Sequence, residues 1–146
     1  MTQYPILVGI RMSNAKVELF DVALKGCECA ALYTLNPTSE SILVATRCAF
    51  ANSRDGARVH GSLASAKFNN CVFNDNEYDG IQGFESTIHL HGEATAIHSN
   101  GRSGVFSAHA SGKVLIHLPS HHNTSYNNEG EDRQTSMGGT ITNVED

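Results

Sequence analysis

A five-residue turn that returns at a fixed interval constrains this chain more than any other feature. Asn76-Glu77-Tyr78-Asp79-Gly80 is preceded by Asn52-Ser53-Arg54-Asp55-Gly56 and followed by Asn100-Gly101-Arg102-Ser103-Gly104, each 24 residues away. Three copies of N-x-x-[D/S]-G on one period mark a repeat architecture, in which each unit buries its apolar face against its neighbours.

The residues after each turn alternate in character. Ala57 and Val59 oppose Arg58 and His60, Ile81 and Gly83 oppose Gln82 and Phe84, and Val105 and Ser107 oppose Phe106 and Ala108. Period two is the signature of a strand. Second strands are expected at 65–70, 87–92 and 113–118, and third strands at 48–50, 71–73 and 95–97. No segment carries apolar residues at helical spacing. Three short strands in each repeat predict one coil of a parallel β-helix, stacked on the next at the inter-strand spacing of about 4.8 Å.

Stacked coils place equivalent residues in columns. Asn52, Asn76 and Asn100 are expected to form a ladder of side-chain amides along the axis. Gly56, Gly80 and Gly104 are expected to stack where the turn needs positive φ or a close backbone approach. Cys48 and Cys71 should point inward, with Phe50, Phe73 and Ile97 two residues on, and Cys27 is expected to extend the same stack of thiols.

On these turns and the strands after them, from about residue 42 to 118, the chain resembles the right-handed parallel β-helix proteins of the pectate-lyase-like superfamily. The resemblance implies an all-β solenoid of about six coils of roughly 24 residues in a single domain, 1–146. Irregular opening coils would occupy 1–41, with residues 4–12 as a cap and 36–41 as a loop; regular coils would span 42–118. A looser coil would fill 119–146, where Asn127-Asn128-Glu129-Gly130 echoes the turn with its register slipped. A β-sandwich would not keep such a period, and a left-handed helix would show hexapeptide repeats, which are absent.

Net charge is −5 and the pI is about 5.9, a balance unsuited to nucleic acid or an anionic membrane. No apolar run approaches the roughly 20 residues of a membrane helix, and no signal peptide is expected at the start. Asn123-Thr124-Ser125 fits a glycosylation sequon.

The superfamily hosts lyases, hydrolases, epimerases and non-catalytic modules, so fold leaves function open. Asp55, Asp79 and Arg58 lie near one another in the coil arrangement, and two stacked carboxylates can hold calcium. Asp in an Asp-Gly turn more commonly bonds its own backbone. The acid cluster of the fold's glycan hydrolases and the Asp-Pro-His of its epimerases are missing, and no carboxylate pair stands at acid–base separation. His89, His91 and His117 share an outward parity that suits zinc or copper, but no carboxylate or thiol completes the set. They are read as exposed polar positions, like His121-His122, and neither a metal nor a cofactor is assigned.

The expectation is a non-catalytic module for scaffolding or for recognising a glycan or protein. Its candidate face is the outward side of the strands after the turns: Arg58, His60, Gln82, Phe84, Phe106 and Ala108. The alternatives are a lyase or epimerase acting on uronic-acid glycans, or a fragment of one, and a viral or filament component that self-associates through the β-helix ends.

Overall fold

The computed structural model describes residues 6–117 and 125–145. The histidines 121 and 122, and Asn123 and Thr124 of the sequon, lie outside the described residues. Every regular element among those described is a strand. The first turn of the chain holds β1 (Ile6–Met12), β2 (Lys16–Phe20) and β3 (Ala23–Lys25), and the second β4 (Cys27–Thr34), β5 (Ser41–Thr46) and β6 (Ala49–Ala51). The third holds β7 (Asp55–His60), β8 (Ala64–Asn69) and β9 (Val72–Asn74), and the fourth β10 (Ile81–Phe84), β11 (Thr87–His91) and β12 (Ala96–His98). The fifth has β13 (Val105–Ala108), β14 (Lys113–His117) and β15 (Ser125–Tyr126), and β16 (Arg133–Ser136) with β17 (Thr140–Val144) begin another.

Corresponding strands pair in parallel and build three sheets. Sheet A runs β1-β4-β7-β10-β13-β16, sheet B runs β2-β5-β8-β11-β14-β17, and sheet C runs β3-β6-β9-β12-β15. The chain is thus a parallel β-solenoid of about five turns, slightly fewer than the six coils expected. β1 is itself a rung of sheet A, in register with β4 through Ile10↔Leu32 and Met12↔Thr34.

The core is the column set pointing into the triangle between the sheets. Phe50 and Phe73 stack at 5.0 Å between ring centroids, and Phe68 meets Phe73 edge-on at 4.9 Å. Ile97 continues their column through its pairing with Phe73. Leu43, Ala66, Ile88 and Val114 form a second column, all buried. Cys48 and Cys71 are buried on adjacent rungs, with Cys71 Sγ donating to Ala45 O at 3.4 Å. Cys27 does not join them. It lies on the Ser53 column, where its amide donates to Ser53 Oγ at 3.0 Å.

Most of the described corners are turned by a residue of positive φ. At the corner from sheet C to sheet A these are Gly26, Asn52, Asp75, Ser99 and Asn127, with φ between 52° and 73°. Asn, Asp and Gly tolerate this conformation best. This corner also carries the amide ladder, shifted from its expected members. Asn52 is the exposed bend residue, and Ser53 occupies the rung beside Asn76. From there Asn76 Nδ2 donates to Asn100 Oδ1 at 2.9 Å, and Asn100 Nδ2 to Asn128 Oδ1 at 2.9 Å. Asn52 fails to stack because one residue, Arg54, separates Ser53 from Asp55, whereas two separate Asn76 from Asp79.

Gly56, Gly80 and Gly104 do form a column, and they are there for close approach, since none of them has positive φ. A Cβ on Gly80 would lie 2.7 Å from Gly104 O and 2.8 Å from Asn100 Nδ2. The glycine column therefore leaves room for the amide ladder beside it.

Candidate functional site

Sheet A presents its outward side chains in two adjacent columns. Tyr33, Arg58, Gln82 and Phe106 make one, and His60 and Phe84 make the other. All six are partly buried, neither core nor free surface. The five residues singled out for this face are thereby brought together. Ala108, of the same parity as Phe84, is buried (2% exposed), because the corner backbone at Gly112 and Gly139 closes on it.

The polar members form a directional chain. Gln82 Nε2 donates to Asp79 Oδ2 at 3.1 Å, since a carboxylate accepts only. Gln82 Oε1 is then left to accept from His60 Nε2 at 3.1 Å. His60 Nδ1 accordingly accepts from Tyr33 Oη at 3.3 Å. The chain calls for a neutral His60 with its proton on Nε2. Burial, with the Arg58 charge, also lowers the His60 pKa, against partial opposition from the Gln82 bond and Asp55.

Arg58 is pinned beside this chain. Its Nε donates to Asp55 Oδ2 at 2.6 Å, its Nη1 donates to Cys29 Sγ at 3.1 Å, and its guanidinium lies 5.7 Å from the centre of the Tyr33 ring. The aromatic flank runs from His60 to Phe84 at 4.5 Å and on to Phe106 at 5.9 Å, with His109 edge-on to Phe84 at 5.6 Å.

Asp55 and Asp79 serve the stack in a way the Asp-Gly motif did not announce. Each accepts from the backbone of the following turn and not from its own: Asp79 N donates to Asp55 Oδ1 at 2.9 Å, and Ser103 N to Asp79 Oδ1 at 3.1 Å. With Arg58 and Gln82 on the other oxygens, all four carboxylate oxygens are engaged. Burial first, and then the charge of Asp55, raises the Asp79 pKa.

The outward face of sheet B gathers His89, His91 and His117, read from the sequence as exposed polar positions; none is exposed, His89 and His91 being partly buried and His117 buried. His89 and His91 flank Leu90 on β11, and Leu90 pairs with Ile116, so His117 comes beside His91. His89 Nδ1 and His117 Nε2 are 2.9 Å apart, and the His91 and His117 rings stack at 4.0 Å. One ring nitrogen from each of the three lies within 4.8 Å of the others.

Sequence reasoning missed Tyr33 and Cys29. Both lie before the 36–41 loop, where Leu32 pairs with Ala57 at a spacing of 25, outside the motif's period. It also missed an aromatic stack at the corner, where the Arg54 and Arg102 guanidinium groups lie 5.4 Å and 5.1 Å from the centre of the Tyr78 ring. This stack follows from the repeat, because all three sit between the ladder residue and the Asp or Ser of their turns.

No family model, no curated protein and no solved structure matches the chain.

Proposed function

We propose that this protein is a non-catalytic β-solenoid module that binds a glycan along the outward face of sheet A. The observation that carries the reading is the half-buried row in which the Tyr33–His60–Gln82–Asp79 hydrogen-bond chain runs beside Phe84 and Phe106. Sugars present alternating hydroxyls and C–H faces. Oriented polar groups next to aromatic rings complement both, and the rings add contact area at low entropic cost. The likeness to the pectate-lyase-like superfamily suits a glycan ligand. The four structural hydrogen bonds on Asp55 and Asp79 tie both acids into the stack, which favours a scaffolding role for them over a catalytic one. A glycan-array screen, with uronic-acid polymers incubated with and without calcium, tests this. Saturable binding without unsaturated products is expected, and turnover of any glycan contradicts it.

A second reading, self-association, rests on the first turn. β1, β2 and β3 each end their sheets, leaving one edge unpaired among the described residues. Leu7 (61% exposed) and Phe20 (53% exposed) lie on these strands, and Val17, Leu19 and Leu24 are only partly covered. An open edge with apolar residues is a template for a second copy. Sedimentation across a concentration series would show a monomer–dimer shift, weakened by Leu7→Lys with Phe20→Lys; a concentration-independent monomer contradicts this reading.

A further inference from the structure

We propose that His89, His91 and His117 form a binding site for a divalent transition-metal ion of the zinc class on the outward face of sheet B. The solenoid itself brings them together. Period two along β11 sends His89 and His91 to the same face, and the parallel register of β14 sets His117 alongside. The backbone positions are held by the ladder between the two strands, so the site sits on rigid elements and not on a loop.

The distances suit a small ion. A nitrogen from each ring lies within 4.8 Å of the other two, and His89 Nδ1 and His117 Nε2 are already 2.9 Å apart. Tetrahedral zinc with Zn–N bonds of about 2.0–2.1 Å holds its nitrogens about 3.3 Å from one another. The His89–His117 pair must open by a few tenths of an ångström and the third nitrogen must close, changes within the soft χ2 torsion of histidine.

The donor set selects the class of ion. Three imidazoles suit zinc, copper and nickel; calcium and magnesium require oxygen donors. In neutral rings at this spacing, one nitrogen must donate the 2.9 Å hydrogen bond to the other. A metal replaces that bond once the donor ring shifts its proton to its other nitrogen, with no net proton released. Bound there, the ion joins the fourth turn to the fifth, and its remaining position is open to water or to a ligand atom. The site stands apart from the sheet A face and does not depend on glycan binding.

The test titrates the full chain with Zn2+ in a chelator competition. Equimolar binding is expected, weakened about tenfold or more by each of His89→Ala, His91→Ala and His117→Ala, since loss of even a supporting partner costs a metal site about that much. His98→Ala and Cys29→Ser should leave affinity unchanged. X-ray absorption at the zinc edge of the unaltered chain decides the matter even if a histidine variant fails to fold. Three imidazole nitrogens at about 2.0 Å support the site, and sulfur at about 2.3 Å overturns it. Absence of saturable binding, or binding that survives the His91 and His117 changes in folded variants, also overturns it.

Discussion

The Ser53 amide donates to Asn76 Oδ1 at 3.2 Å across one turn of the stack, and the Asn76 amide donates in the same way to Asn100 Oδ1 at 3.2 Å. Each ladder side chain thus satisfies the backbone of the turn before it. Asn76 Nδ2 also reaches Phe50 O at 3.2 Å. Asn76→Ala deprives buried groups on two neighbouring turns and should cost about 1–3 kcal/mol for each one stranded. Asn52→Gly should be near neutral, because Asn52 is exposed and its φ of 53° is one that Gly adopts without strain. Denaturant melts of the two variants check this; equal shifts would refute the ladder.

Gly80→Ala should be at least as damaging as the loss of a ladder amide. The added methyl would meet Gly104 O at 2.7 Å, a backbone atom that cannot turn aside. Overpacking of this kind costs about 1–3 kcal/mol. Gly26→Ala offers the contrast, since nothing lies within 4 Å of its Cβ position and only its φ of +73° opposes the change. The two melts should separate clearly, with Gly80→Ala lower.

His60 should make the protein less stable in acid. Its folded pKa lies below the ordinary 6.5 because burial and the Arg58 charge oppose protonation, with Asp55 pulling partly the other way. As pH falls through 6.5 the unfolded chain takes up a proton that the folded chain resists, so stability present above that value is lost toward the folded pKa. His60→Gln removes this dependence. Between about pH 7.5 and 5 its melting temperature should fall less than that of the unaltered protein; parallel curves would contradict a buried neutral His60.

The four cysteines are all free and should differ widely in reactivity. Burial pushes the Cys71 thiol up to about 11, and Cys48 is buried beside it in the same column. Cys29 is only partly buried. A polar thiol reagent should modify Cys29 first and Cys71 last, because attack requires an accessible thiolate. Mass spectrometry of tryptic peptides over time reads the order, and rapid modification of Cys71 in the native state would contradict its place in the core.

The sequence disclosed the solenoid because period-two alternation and the Asp-Gly turns recur where sheet A keeps its spacing of 24, as in Ala57↔Ile81↔Val105. Elsewhere the turns differ in length: Thr87 pairs with Ser65 at 22 residues, and Val105 with Arg133 at 28. Spacing drifts because corners absorb insertions without disturbing the ladders, so a fixed period mistook Asn52 for a ladder residue and left Asn128 unassigned. The outward face was legible by parity alone for Arg58, His60, Gln82, Phe84 and Phe106. Their hydrogen-bond order was not, because the Tyr33–His60 and His60–Gln82 bonds form only when neighbouring turns stack. Parity along the strands grouped His89, His91 and His117, and the contact of His117 with His91 followed only from the register of β11 and β14.

Phe84→Ala combined with Phe106→Ala tests the recognition face most directly. Both rings are only partly buried, so the double variant should remain folded and lose less than the roughly 3–5 kcal/mol per ring of a core Phe→Ala change. Its affinity for the glycan returned by the array should fall about tenfold or more, in line with the 1.4 kcal/mol that one decade represents. Intact binding in a variant with a sharply lowered melting point would show instead that the two rings only pack the wall of the solenoid, and would contradict a binding surface on sheet A.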